Sequence, residues 1–69
     1  MDMPSSVISN IKYNAASGNL DIRFTSGNIY RYKKVPAELY TQMIRAFSKG
    51  KFFNTHIKGL FEYEQLKRY

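Results

Sequence analysis

The stretch Ile29-Tyr30-Arg31-Tyr32-Lys33-Lys34-Val35-Pro36 decides the reading of this chain. Two tyrosines stand one residue apart with a cation between them. Two lysines follow, and then a proline. In an extended strand, side chains at i and i+2 share a face. Tyr30 and Tyr32 therefore point one way, and Arg31 and Lys33 the other. Turned inward, the tyrosines build a core and leave a basic surface outside. Turned outward, they offer a platform on which bases stack.

The residues upstream choose between these. Ile11 and Tyr13 alternate with Lys12; Leu20, Ile22 and Phe24 alternate with Asp21 and Arg23. Ser17-Gly18-Asn19 precedes the second run, and Ser26-Gly27-Asn28 precedes the third. Gly and Asn accept the positive φ that hairpin turns demand, so the pattern predicts a three-stranded antiparallel meander. A two-residue loop at Ser26-Gly27 would pair Arg23 with Tyr30 and bring Arg31 and Lys33 into the core. A three-residue loop at Ser26-Gly27-Asn28 would pair Phe24 with Tyr30 and Ile22 with Tyr32. Burying an unpaired cation costs several kcal/mol, whereas tyrosine buries its ring and keeps its hydroxyl at an edge. The longer loop is therefore expected, with Tyr30 and Tyr32 inward. One face then carries Ile11, Tyr13, Leu20, Ile22, Phe24 and the tyrosine pair. The other carries Lys12, Asp21, Arg23, Ile29, Arg31 and Lys33.

Downstream, Pro36 changes the period, because its fixed φ suits the first turn of a helix. From Ala37 to Phe47, the residues Leu39, Tyr40, Met43, Ile44, Ala46 and Phe47 fall on one helical arc. Ser48 fits the N-cap of a second helix, with Phe52, Phe53, His56 and Ile57 on one face. Gly59 suits its termination. The tail from Leu60 to Tyr69 fits either an extended segment or a helical turn. The fold expected is α+β: a three-stranded antiparallel meander, two helices on one sheet face and a short C-terminal tail, in a single domain over residues 1–69. Its structural core is expected to include Phe24, Tyr30, Tyr32, Tyr40, Phe53 and Ile57.

Size limits what can hold this together. A domain of 69 residues buries only about 60% of the surface that its unfolded chain exposes. It has no cysteine and one histidine, so no disulfide or cysteine–histidine zinc site braces it. Aromatic packing is the available substitute. The formal charge of +6 favours a polyanionic partner, although solubility alone accounts for such a charge in many small domains. The opening Met1-Asp2-Met3-Pro4-Ser5-Ser6 has neither the basic nor the apolar region of a signal peptide. With no membrane-length apolar run, a cytoplasmic location is expected.

Candidate chemistry is sparse. His56 has no neighbours spaced to share a metal, and a packed histidine bonded to backbone is the expected role. Ser48-Lys49-Gly50-Lys51 suggests anion binding at a helix start but lacks the spacing of a P-loop; a capped helix with solvated lysines is the simpler reading. Ser5 and Ser6 lack a nucleophile-elbow context, and the five acidic residues form no spaced pair for acid–base work. A non-enzyme without cofactor or metal is expected. The basic residues remain as candidates for nucleic-acid contact: Lys12, Arg23, Arg31 and Lys33 on the sheet face away from the helices, with Lys34, Lys49, Lys51 and Lys58 beyond it.

The order and spacing of Ser5-Ser6, Ile8, Ile11, Tyr13, Gly18, Leu20, Phe24, Gly27, Tyr30-x-Tyr32, Val35-Pro36, Tyr40, Ala46, Ser48, Gly50, Phe52-Phe53-Asn54, Ile57, Phe61 and Tyr63 resemble the KTSC domain. This short module stands alone in bacteria and phages and is appended to the C-terminus of some lysyl-tRNA synthetases. Asn14-Ala15 replaces a common Asp-Pro turn, and Phe52 and Phe61 stand where tyrosine is frequent; these are turn and packing variants. The resemblance brings no catalytic residues and implies an RNA-binding role by context. The expected function is a small non-catalytic module that binds RNA or another polyanion through a basic sheet face, as a monomer and without a membrane. The alternative is an adaptor that docks on a larger protein through a strand edge or its C-terminal aromatic tail.

Overall fold

A computed structural model describes residues 8–67. The elements run β1 (Ile8–Asn14), β2 (Asn19–Phe24), β3 (Ile29–Tyr32), α1 (Ala37–Arg45), α2 (Lys49–His56) and β4 (Tyr63–Lys67). The sheet has the order β1-β2-β3-β4, with every neighbouring pair antiparallel. The fold is thus α+β, as expected, but the sheet has four strands rather than three. The tail supplies the fourth. Tyr63 faces Tyr32, Glu64 faces Arg31 and Gln65 faces Tyr30. Pairing gives the polar backbone on the free edge of β3 its hydrogen-bond partners. It also lays the Tyr63 ring on Tyr30, at a centroid distance of 5.6 Å, and against Tyr32 at 5.4 Å.

Each hairpin depends on a glycine. In the first, Asn14 pairs with Asn19 across a four-residue loop. The Asn14 side-chain oxygen accepts from the N–H of Ala16 at 2.9 Å and of Ser17 at 3.3 Å. Gly18 closes this loop with φ +80°, donating to the Asn14 carbonyl at 2.8 Å. In the second, the loop is Thr25 to Gly27, one residue earlier than expected. Gly27 takes φ +101° and donates to the Phe24 carbonyl at 2.8 Å. Placing glycine last lets it, and not Asn28, adopt the left-handed conformation that closes a three-residue loop, at lower steric cost. The pairs are therefore Ile22 with Tyr30 and Leu20 with Tyr32, two residues from the expected register. A two-residue shift preserves the faces, since side chains alternate with period two. The tyrosines still point inward.

The core is Leu20, Ile22, Tyr32, Val35, Met43, Phe53 and Ile57, all buried. Phe24, Tyr30 and Tyr40 are half-buried against it. Helix α1 reaches the sheet through Tyr40, whose ring stacks on Tyr13 at 4.7 Å. The Tyr13 hydroxyl donates to the Val35 carbonyl at 2.6 Å. Helix α2 reaches it through Phe53, which meets Phe24 and Tyr32 edge-on at 5.7 and 5.4 Å.

Two expectations about the helices are corrected. Helix α1 ends at Arg45, because Ala46 is extended (φ −66°, ψ 142°). That break carries Phe47 off the apolar arc and leaves it fully exposed, at 106% of its reference area, while Ile44 is 43% exposed. His56 is not a packed, backbone-bonded histidine. It is exposed and lies against the Phe52 ring at 4.4 Å. Ser48 caps α2 as expected, its hydroxyl oxygen accepting from the Lys51 N–H at 3.2 Å.

Candidate nucleic-acid interface

Strand alternation places Lys12, Arg23 and Arg31 on the sheet face opposite the helices. The registers of β1 with β2, β2 with β3 and β3 with β4 align Lys12, Asp21, Arg31 and Glu64 in one row across the sheet. Charge alternates along the row, as cross-strand pairing favours. Arg31 grips Asp21 with two hydrogen bonds, from Nε at 2.9 Å and from Nη2 at 3.1 Å. This holds its pKa above the usual arginine value: the hydrogen bond to Asp21 contributes most, then the charge of Asp21, with Glu64 adding less. Lys33 pairs with Glu64, Nζ to Oε1, at 3.3 Å.

The row changes the electrostatics of the face. Asp21 alone was expected to oppose its cations, but β4 brings Glu64 as well. Arg31 and Lys33, the cations of the tyrosine motif, are both held by carboxylates. Lys12 lies at the β1 end of the row and has no ion pair among the described residues. Arg23 lies in the next row, between Asn10 and Ile29, and also has none. Beside Lys12 the surface sinks into an open depression of about 380 Å³ lined by Tyr13, Asn14, Asn19, Asp21 and Arg31. Its polar walls fit a sugar–phosphate contact better than an apolar ligand.

Lys34 sits where β3 ends. It is exposed and takes φ +57°, a left-handed conformation for a non-glycine residue. Its neighbour Val35 donates from its N–H to the Gly18 carbonyl at 2.9 Å, tying this corner to the first hairpin. Lys49, Lys51 and Lys58 are not on the sheet face. They lie in and just after α2, which packs on the opposite side through Phe53. The expected cations therefore form two groups, one on the open sheet face and its rim, the other on the helix layer.

Sequence reasoning missed one cation of the helix layer, Arg45, and the exposed Phe47 near it in sequence. One signal was available: between Glu38 and Glu62 there is no acidic residue, whereas Arg45, Lys49, Lys51 and Lys58 all fall in that interval. Among the described residues, no cluster of His, Cys, Asp or Glu is suited to a metal ion. No described helix is long and apolar enough to cross a membrane.

The tyrosine layer is the other face of the same device. Burial pushes the Tyr32 hydroxyl up to about 12, with Tyr63 and then Tyr30 adding to the effect. The rings of Phe24, Tyr30, Tyr32, Tyr63 and Phe53 form one continuous series of aromatic contacts. They therefore support the sheet from beneath and leave its cations as the outward chemistry.

Comparison with known proteins gives the lineage of this arrangement. The family model described as the KTSC domain matches residues 4–63. A lysine–tRNA ligase of Nostoc punctiforme is 44% identical over 61 residues, covering 88% of this chain and 11% of that enzyme. The chain thus spans about a tenth of the ligases that it matches. A protein of Tsukamurella paurometabola is 39% identical over 57 residues and is covered over 85% of its length. Among solved structures, the KTSC domain protein YPO2434 from Yersinia pestis superposes with a TM-score of 0.85 at 34% identity, over 97% of this chain and 94% of that one. No catalytic family is indicated by these matches. The chain belongs to the KTSC domain family.

Proposed function

We propose that this domain is a small, non-catalytic, cytoplasmic module that binds RNA through phosphate contacts, with little reading of base sequence. The observation that carries the proposal is the set of uncompensated cations. Among the described residues Arg31 and Lys33 are held by carboxylates, while Lys12, Arg23, Lys34, Lys49, Lys51 and Lys58 have no ion pair. The similarity to part of a lysine–tRNA ligase supports a nucleic acid as the polyanion. Lysine and arginine that meet phosphates displace condensed counterions, so affinity falls with salt at roughly 0.7 logarithmic units per contact on a single strand. Three to six contacts give a slope of about −2 to −4. Raising salt from about 50 to about 200 mM would then weaken binding about 16- to 260-fold.

Filter binding of transfer RNA and of a structured RNA across salt tests this. Absence of binding at low salt, or an affinity indifferent to salt, would refute it. Chemical-shift mapping should place the contacts at Lys12, Arg23 and Lys34, and less at the ion-paired Arg31.

A second reading rests on the outer strands. Among the described residues no strand pairs with the outer edge of β1 or β4, and on β4 Tyr63 is 57% and Leu66 is 42% exposed. An added strand from a larger protein would use that edge. A partner captured after nuclease treatment, and lost when a proline is placed in β4, would favour this adaptor role.

A further inference from the structure

The sheet face offsets two of its cations, Arg31 and Lys33, with Asp21 and Glu64; the corner between α1 and α2 offsets none among the described residues. There Arg45-Ala46-Phe47-Ser48-Lys49-Gly50-Lys51 joins the end of one helix to the start of the next. Phe47 stands wholly in solvent. It fills no gap in the core and has no ring partner among the described residues. Arg45 and Lys51 are exposed and Lys49 is partly so. None has an ion pair among the described residues. Past the break at Ala46 the Phe47 ring is exposed, with the three cations two to four residues from it in sequence.

We propose that this corner is a base-stacking site for an unpaired nucleotide, with the Phe47 ring against the base and Arg45, Lys49 and Lys51 on the flanking phosphates. The proposal rests on the nucleic-acid reading above and assigns it a place and a strand preference. Charge complementarity selects the occupant. A partner must present a flat apolar surface and negative charge on both sides of it, at the spacing of a few residues. A single strand does so at every nucleotide, since each base has a π-face and each linkage a phosphate. A paired helix hides its base faces and offers only the phosphates. A bilayer would meet one ring, where anchoring takes a larger apolar face.

The test compares binding of a single-stranded oligouridylate with that of a blunt RNA duplex, for the intact chain and for F47A and F47Y. Stacking losses measured in other proteins correspond to about 5- to 140-fold in affinity. F47A should lose that much on the single strand and nothing on the duplex, with an unchanged thermal melt. F47Y should retain the affinity. Single-strand binding indifferent to F47A overturns the site and leaves the general RNA reading standing. Failure of the intact chain to bind either RNA removes both. Two other results overturn the site: a dimer in sedimentation that F47A dissolves, or binding to phosphatidylglycerol vesicles that depends on Phe47 while RNA binding does not.

Discussion

Replacing Tyr32 by alanine tests the inward assignment from which the rest follows. Tyr32 is 4% exposed, with Phe53 and Tyr63 each 5.4 Å from its ring. Burying a tyrosine removes on the order of 150–250 Å² from water, or at most about 4–6 kcal/mol at roughly 25 cal/mol per Å². Aromatic-to-alanine changes in cores cost about 3–5 kcal/mol once partial collapse is allowed for. A chain of this length has a total stability of about 3–10 kcal/mol, so Tyr32→Ala should remove from about a third to all of it. Tyr30 is only half-buried, and Tyr30→Ala should cost about half as much. At about 4–8 °C per kcal/mol for a domain of this size, its melt should fall by roughly 6–20 °C. Tyr32→Phe keeps the ring and should stay within about 1.5 kcal/mol. Urea and thermal unfolding followed by circular dichroism would read all three. A Tyr32→Ala protein melting within a few degrees of the parent would show that the ring does not carry the core, and the outward platform would have to be reconsidered.

Other perturbations separate the electrostatics from the backbone. Asp21→Asn releases Arg31 and removes a negative charge beside Lys12, so RNA affinity should rise and its salt dependence steepen; a lowered affinity would argue against contact at this face. Gly18→Ala and Gly59→Ala both force a side chain into φ +80°, at about 1–2 kcal/mol of strain each. Only at Gly18 would the added Cβ also press on backbone, 3.2 Å from the Lys34 Cα, so its unfolding midpoint should drop further. Alkaline stability follows from Tyr32. Its hydroxyl is held protonated by burial, to about 12 in the fold against an ordinary 10.0. The associated stability is fully present below about pH 10 and is lost as pH climbs through about 12. Tyrosinate absorbance should report this, and Tyr32→Phe should flatten the transition.

The facing of the first three strands was legible because two independent constraints agreed. The i, i+2 alternation put Tyr30 with Tyr32, and the cost of a buried cation decided which pair went inward. The register was legible only modulo two. Gly27 can occupy either of two places in a three-residue loop, and both give the same faces. The fourth strand was not legible, because Tyr63 to Lys67 satisfies strand and helix periods alike; the unpaired edge of β3 decides between them. Phe47 was misplaced for a related reason. It continues the apolar arc of α1, but the turn into α2 needs extended backbone at Ala46 and Ser48, and a helical arc does not survive that break. The facing of Lys12, Arg23 and Arg31 was legible and the field around them was misjudged, since the offsetting Glu64 arrives on the strand that was missed.

The alternation of strand direction has a consequence for how such a module is joined to anything larger. Because β1 to β4 are successive antiparallel neighbours, the start of β1 and the end of β4 lie at the same end of the sheet. They sit on opposite edges, three strand spacings or about 14 Å apart. The Thr25–Gly27 turn shares that end. The first hairpin, Lys34 and the depression beside Lys12 belong to the other. A host fused at either terminus, or at both, would hold the domain by one pole and present the opposite pole outward. Lys34 and Lys12 would then face away from the host.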